Sequence, residues 1–149
     1  MHDPATLVVD ASVAIKWLLP ERDQPSALRI RTLYQQGTLT AIAPGLITSD
    51  IGNVLWKYVT RGLLTPEDAG RALFRFHQDA PILRDSPVFN ATALRLAAQY
   101  RRTFYDSLYL ALALHHNCQL VTADEKFVRA MQAVFPSVRL LRDYAPSSA

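Results

Sequence analysis

Short apolar runs alternate with longer helical segments along this chain, and this alternation restricts its fold more than any other feature. A short run rich in β-branched residues is typical of a strand that is buried on both faces. Strands separated by helices predict an α/β fold with a parallel sheet and right-handed crossovers. The predicted strands span residues 6–10, 39–43, 81–84, 119–122 and 138–141.

Helix start and stop signals divide the rest of the chain. Gly37 follows one helical pattern and ends it, and Thr65 before Pro66 is a capping residue followed by a proline at the first helical position. We expect one domain over residues 1–149, with a core from 6 to 142 and a loose tail at 143–149. The predicted helices span residues 11–18, 24–36, 46–61, 66–78, 87–100, 106–116 and 124–133.

Four aspartates form the strongest chemical pattern in the chain. Asp10 and Asp124 follow apolar runs, Asp106 stands at the head of a helical segment, and Asp50 lies inside another helix. The carboxyl ends of parallel strands share one edge of a sheet, and open α/β folds bind their ligands there. Because converging carboxylates do not all stay ionised without a cation, the pattern points to hard divalent metal ions.

Each of these aspartates also has a structural explanation when it is taken alone. Asp10, Asp106 and Asp124 each stand where a side chain can cap the helix that follows. Asp50 has Asn53 one turn later in its helix, which favours a polar cluster at the edge of the core. Taken together, the four aspartates lie at the ends of separate elements linked to the sheet, and this arrangement favours a shared functional site.

Charge and cysteine content restrict the partners and the compartment. The 16 basic and 13 acidic residues give a net charge of +3, which suits a polyanionic substrate or an ordinary solvated surface. The single cysteine, Cys118, excludes an internal disulfide framework and fits a reducing cytoplasm. We expect no membrane span and no signal peptide, because the apolar stretches are too short.

Four groups of residues follow one another in an order and spacing that we recognise. They are residues 8–17 (VVDASVAIKW), 44–46 (PGL) with 50–55 (DIGNVL), 105–113 (YDSLYLALA) and 120–127 (LVTADEKF). With these motifs the chain resembles the PIN-domain nucleases, and in particular the VapC-type ribonuclease toxins of bacterial toxin–antitoxin pairs. The resemblance covers residues 7–141, and its first and last motifs are the most specific.

The resemblance implies a fold and a role for each acid. The family fold is a three-layer fold with a five-stranded parallel sheet in the order 3-2-1-4-5 and helices on both faces. By resemblance, Asp10 and Asp106 bind Mg²⁺ or Mn²⁺ directly, and Asp50 and Asp124 bind it directly or through water. The family usually has glutamate where this chain has Asp50, which is one methylene shorter. The residues expected to support the site are Ser12, Thr122, Asn53 and Lys16, with Lys16 either facing the acids or lying at the surface.

The implied activity is that of a metal-dependent endoribonuclease toxin, which cuts RNA and leaves 5′-phosphate ends. A small VapB-like antitoxin would neutralise it, with a segment near the site and a basic side chain on the carboxylates. Other functions stay open at this point. One is a PIN module of weak activity that mainly binds RNA or protein. Others are a nuclease acting on DNA and a metal-dependent phosphatase with a small substrate.

The predicted helices at 46–61 and 66–78 form a hairpin, here named the 46–78 hairpin. It carries more apolar side chains than one face of a five-stranded sheet needs. Both a homodimer surface and ordinary core packing explain this excess.

Overall fold

Five parallel strands form one sheet in the computed structural model, which describes residues 5–146. The strands are β1 (Ala5–Val9), β2 (Leu39–Ala43), β3 (Ile82–Leu83), β4 (Gln119–Thr122) and β5 (Val138–Leu140). They stand in the order β3-β2-β1-β4-β5, and every neighbouring pair is parallel. The predicted α/β fold and the predicted strand order are therefore confirmed.

Helices join the strands close to the predicted positions. Within residues 5–146 they are α1 (Ala11–Ala14), α2 (Gln24–Gln35), α3 (Leu46–Thr60), α4 (Pro66–Asp79), α5 (Pro87–Tyr100), α6 (Phe104–His115) and α7 (Glu125–Met131). Helix α1 is shorter than predicted, and a 3-10 turn over Ile15–Trp17 continues it. Helix α6 begins two residues earlier than predicted, because the Thr103 hydroxyl caps it by accepting from the Asp106 N–H at 3.0 Å.

The sheet is buried on both of its faces. Leu7, Val8 and Val9 on β1 are at most 2% exposed, although successive residues of a strand point to opposite faces. Helices must therefore cover both faces, as the three-layer prediction requires. Helix α6 lies deep in the fold, because every residue from Ser107 to Ala113 is buried.

Strands β1 and β4 end side by side at the carboxyl edge of the sheet. Val9 is the register partner of Val121, so the next residues, Asp10 and Thr122, are neighbours across the two strands. Asp124 follows two residues later at the start of α7. The sheet thereby brings residues that are far apart in sequence to one place.

The C-terminal end departs in part from the predicted loose tail at 143–149. A 3-10 turn covers Leu141–Asp143, and Tyr144 packs against the core. Residues 1–4 and 147–149 lie outside the described residues. Within the described part of the chain, no helix is both long and apolar enough to cross a membrane.

The burial of α6 predicts a large difference between two leucines on the same helix. Leu110 is completely buried and Leu114 is 37% exposed. We expect Leu110→Ala to lower the free energy of unfolding by about 2–5 kcal/mol, because it leaves a cavity in the core. The matched control Leu114→Ala should cost less than about 1 kcal/mol. Urea unfolding followed by circular dichroism measures both, and equal losses would contradict the buried position of α6.

Candidate active site

Asp10 stands at the centre of the site, immediately after β1. Its Oδ1 accepts from the Ser12 hydroxyl at 2.6 Å and from the Val13 N–H at 3.3 Å, and its Oδ2 accepts from the Thr122 hydroxyl. The bond from Val13 is a helix cap, so the predicted capping role of Asp10 is confirmed. The Asp10 carboxylate therefore also accepts hydrogen bonds from two hydroxyls that take no part in the helix cap.

Ser12 and Thr122 tie the ends of β1 and β4 together. The Ser12 hydroxyl accepts from the Ala123 N–H at 2.8 Å and lies 3.3 Å from the Thr122 hydroxyl. The Thr122 hydroxyl in turn accepts from the Asp124 N–H at 3.1 Å. Ser12 and Thr122, two of the four side chains that we expected to support the site, therefore contact Asp10, and they connect its strand to the loop that carries Asp124.

Asp106 and Asp124 lie with Asp10 around one small cleft, which Tyr109, Thr122, Leu120 and Phe127 also line. Asp124 caps α7, since its Oδ1 accepts from the Phe127 N–H at 3.1 Å. Asp106 does not cap α6, because Thr103 does so, and this corrects the structural explanation given for Asp106 above. The carboxylate of Asp106 instead stands in the first turn, directed to the cleft.

Asp50 reaches this group through a residue that sequence reasoning missed. The Tyr109 hydroxyl donates to Asp50 Oδ2 at 2.7 Å, and the Tyr109 side chain is only 3% exposed. The bond joins α3 to α6, so the partner of Asp50 is a buried phenol rather than Asn53, which is exposed. One signal was present in the sequence: Tyr109 follows Asp106 by three residues and therefore lies on a neighbouring part of the same helix face.

Lys16 is not part of the carboxylate group. It is 7% exposed, and its ammonium pairs with Glu21 Oε1 at 3.1 Å. Neither of the two positions that we expected for it, facing the acids or snorkelling at the surface, is found. The 3-10 turn at Ile15–Trp17 changes the direction of this side chain from that of a continuous α-helix.

The carboxylates are held in surroundings that disfavour their charge. Burial raises the pKa of Asp10 to about 6, although the hydrogen bonds from Ser12, Thr122 and Val13 lower it in part. Burial also raises the pKa of Asp106, and the negative charges of Asp124 and Asp50 raise it further. The pKa of Asp50 is raised by burial and lowered by the bond from Tyr109. Protonation or the binding of a cation would therefore stabilise these carboxylates.

The donor set suits a hard divalent cation, because it consists of carboxylate and hydroxyl oxygens, and its carboxylates repel one another in the absence of a cation. Among residues 5–146, no three acidic, histidine or cysteine side chains form a preformed metal cage. An ion here would keep water in part of its shell, which is the common behaviour of Mg²⁺ in proteins.

The fold and the site place this protein among the α/β proteins that gather carboxylates at the carboxyl edge of a parallel sheet. Comparison with known proteins gives its family. The PIN domain family model matches residues 7–131. The chain belongs to the PIN-domain family, as its motifs predicted.

Named relatives align along most of the chain. Ribonuclease VapC3 of Pyrobaculum aerophilum is 29% identical over 137 residues, which are 86% of this chain and 96% of that protein. Ribonuclease VapC9 of Mycobacterium tuberculosis is 30% identical over 130 residues, which are 87% of this chain and 94% of that protein.

Solved structures share the fold. A crystal structure of PAE2754 from Pyrobaculum aerophilum has a TM-score of 0.69 at 23% identity and covers 93% of this chain and 92% of that one. A toxin–antitoxin complex from Klebsiella pneumoniae has a TM-score of 0.63 at 17% identity, with 91% and 97% covered. VapBC2 from Rickettsia felis, bound to a DNA fragment from its promoter, has a TM-score of 0.64 at 15% identity, with 91% and 96% covered.

The raised pKa of Asp10 predicts how metal-free protein responds to pH. The folded-state pKa of about 6 exceeds the ordinary value of 3.8, so protonated Asp10 is favoured by folding. Its contribution to stability is present below pH 3.8 and is lost as the pH rises through 6. In EDTA at pH 7, Asp10→Asn should therefore be more stable than the wild type by up to about 3 kcal/mol, and the gap should close towards pH 4.

Urea unfolding of both proteins between pH 4 and pH 7 measures this gap. Asp79→Asn is the matched control, because Asp79 pairs with Arg31 at 2.7 Å at the opposite edge of the sheet. A gap that does not change with pH would contradict the assigned burial of the Asp10 charge.

Proposed function

We propose that this chain is an endoribonuclease toxin that hydrolyses RNA phosphodiester bonds and that a small VapB-like antitoxin neutralises. The observation that carries the proposal is the meeting of Asp10, Asp106 and Asp124 at one cleft, with Asp50 joined to it through Tyr109. The relatives named VapC ribonucleases, which align over at least 86% of the chain, support RNA as the substrate. Solved toxin–antitoxin complexes of this fold favour an antitoxin partner.

Mg²⁺ or Mn²⁺ is the cofactor that we assign to the cleft. Asp10 and Asp106 would bind it directly, and Asp50 and Asp124 would bind it directly or through water. A bound divalent ion lowers the pKa of its water ligand and neutralises charge on the phosphate. The carboxylates alone would repel an RNA phosphate, so we expect substrate to enter the cleft only together with a cation.

The residues around the carboxylates orient them for this role. Ser12 and Thr122 fix both oxygens of Asp10. The Phe127 N–H holds one oxygen of Asp124 and leaves the other free to bind, since a carboxylate has about four acceptor sites. Tyr109 holds Asp50, so the position of the shorter aspartate is set by α6 as well as by its own helix. Such preorganised ligands avoid rearrangement when substrate binds.

Purified protein should cut a structured RNA pool with Mg²⁺ or Mn²⁺ and leave 5′-phosphate ends, and EDTA should stop the reaction. We expect Asp10→Asn and Asp106→Asn each to lower the cleavage rate by more than about 100-fold, because each removes one charged oxygen ligand. Asp79→Asn, the same chemical change at the other edge of the sheet, should keep the wild-type rate. Gel analysis of end-labelled RNA measures the rates.

Cleavage that survives EDTA or both aspartate substitutions would contradict the proposal. Folded protein, free of antitoxin, that cuts nothing with either ion would favour the second candidate, a PIN module of weak activity that mainly binds RNA or protein. The Tyr109 bond to Asp50 gives this candidate its specific support, because it engages one oxygen of an already short side chain. Activity gained by Asp50→Glu would then locate the defect.

A homodimer through the 46–78 hairpin is part of the proposal. One face of the hairpin packs in the core, through residues such as Ile51 and Phe76. The hairpin also leaves large apolar side chains in solvent, since Trp56, Leu63 and Phe74 are 60%, 64% and 65% exposed. Exposed apolar side chains grouped on one element are typical of an association surface.

The antitoxin would act at the carboxylates, and the expected compartment is the cytoplasm.

Sedimentation equilibrium tests the dimer directly. We expect wild-type protein to sediment as a dimer and Phe74→Glu to shift the equilibrium towards monomer at least about tenfold, because a buried unpaired charge opposes association. Val134→Glu places the same charge at an apolar side chain that is 52% exposed and lies outside the hairpin, so it serves as the control and should leave the equilibrium unchanged. Wild-type protein that is monomeric at every concentration would overturn this part of the proposal.

A further inference from the structure

We propose that Tyr105 is a stacking site for a nucleobase of single-stranded RNA, beside the bond that the carboxylates cut. The inference rests on the proposed ribonuclease function and adds a binding site to it. It concerns how the substrate is held, which none of the residues described above explains.

The helical position of Tyr105 places it on the same face of α6 as Tyr109, which lines the cleft. Tyr105 precedes Tyr109 by four residues and Leu112 by seven, so the three share one face of α6. Tyr109 and Leu112 are 3% and 0% exposed, whereas Tyr105 is 60% exposed. Residues on this face of α6 are buried along the helix but become exposed in its first turn. The reason is that α6 leads into β4, so its first turn lies at the carboxyl edge of the sheet. Tyr105 therefore continues the line of Tyr109, which lines the cleft, into solvent.

The neighbours of Tyr105 fit a nucleic acid. Phe104 is 37% exposed, and its ring lies edge-on to that of Tyr105 with centroids 6.4 Å apart. Arg101 and Arg102 precede the two rings in the chain, and the positive charge of Arg102 acts to lower the pKa of Asp106. Exposed aromatic rings beside arginines are the combination that binds single strands, with bases stacked on rings and phosphates on guanidinium groups.

The placement also fits the chemistry of the cleft. The scissile phosphate must approach Asp106, which adjoins Tyr105 in the chain. A base attached to a neighbouring sugar then lies within reach of the exposed ring. A duplex would keep its bases stacked on one another, so a ring that takes up one base favours unpaired RNA.

A binding experiment with full-length protein tests the site. The probe is a single-stranded RNA of about eight nucleotides that carries 2-aminopurine at successive positions, studied with Ca²⁺ in place of the catalytic ions. Fluorescence quenching reports stacking, and anisotropy reports affinity. Tyr105→Leu keeps an apolar side chain without a ring, and Tyr105→Phe keeps the ring. The control Leu94→Ala shortens an apolar side chain on α5 that is 63% exposed and lies outside both the cleft lining and the 46–78 hairpin.

We expect Tyr105→Leu to weaken RNA binding roughly 5- to 100-fold and to abolish the quenching at one position. Tyr105→Phe and Leu94→Ala should bind within about twofold of the wild type, because both variants keep the aromatic ring at position 105. In cleavage with Mn²⁺, Tyr105→Leu should raise KM much more than it lowers kcat, because stacking is equal in the ground and transition states. Unchanged thermal unfolding and Mn²⁺ affinity would show that Asp106 has not moved.

The outcomes separate this inference from the function on which it rests. A wild type that cuts RNA while Tyr105→Leu binds and quenches like it overturns the stacking site alone, and leaves the exposed rings to a protein partner. A wild type that binds and quenches through Tyr105 but cuts nothing overturns the nuclease and keeps the stacking site. A wild type that neither binds nor cuts overturns both.

Discussion

The Asp10 carboxylate is held by donors from two separate strand ends, and the geometry of the site follows from this bond network. Ser12 and Val13 belong to α1, directly after β1, whereas Thr122 ends β4. A carboxylate that leaves water is costly unless hydrogen bonds or a cation compensate it. The three donors offset part of that cost, and the raised pKa of Asp10 reflects the remainder. Because the network spans both strands, it also fixes the loop that carries Asp124.

Capping and chemistry are not alternatives in this fold. Asp10 and Asp124 each cap a helix and also border the cleft, since a carboxylate has more acceptor sites than a cap uses. The same turns that start the helices thereby gather negative charge at one edge of the sheet. This gathered charge destabilises the protein without a cation and would favour the binding of one, so stability and the proposed activity would depend on the same groups.

Helix α6 supplies the remaining parts of the site from a single rigid element. Its buried stretch anchors it in the core, and its first turns carry Asp106 and Tyr109 to the cleft, with Tyr105 exposed one turn before Tyr109. The bond from Tyr109 to Asp50 then connects α6 to α3, the first helix of the 46–78 hairpin. This hydrogen bond would therefore connect the proposed dimer surface of the hairpin to the carboxylate cleft.

The sequence by itself predicted the element order, the approximate strand positions and the family, and it singled out the four aspartates as candidate site residues. These predictions depend on local patterns and on motifs of adjacent residues. Only the tertiary structure decided the contacts between distant elements. Tyr109 and Asp50 are 59 residues apart, and Thr122 and Asp10 are 112 residues apart. The physical reason is that local propensity depends on neighbours in the chain, whereas the partner of a buried polar group depends on which helices the sheet brings together.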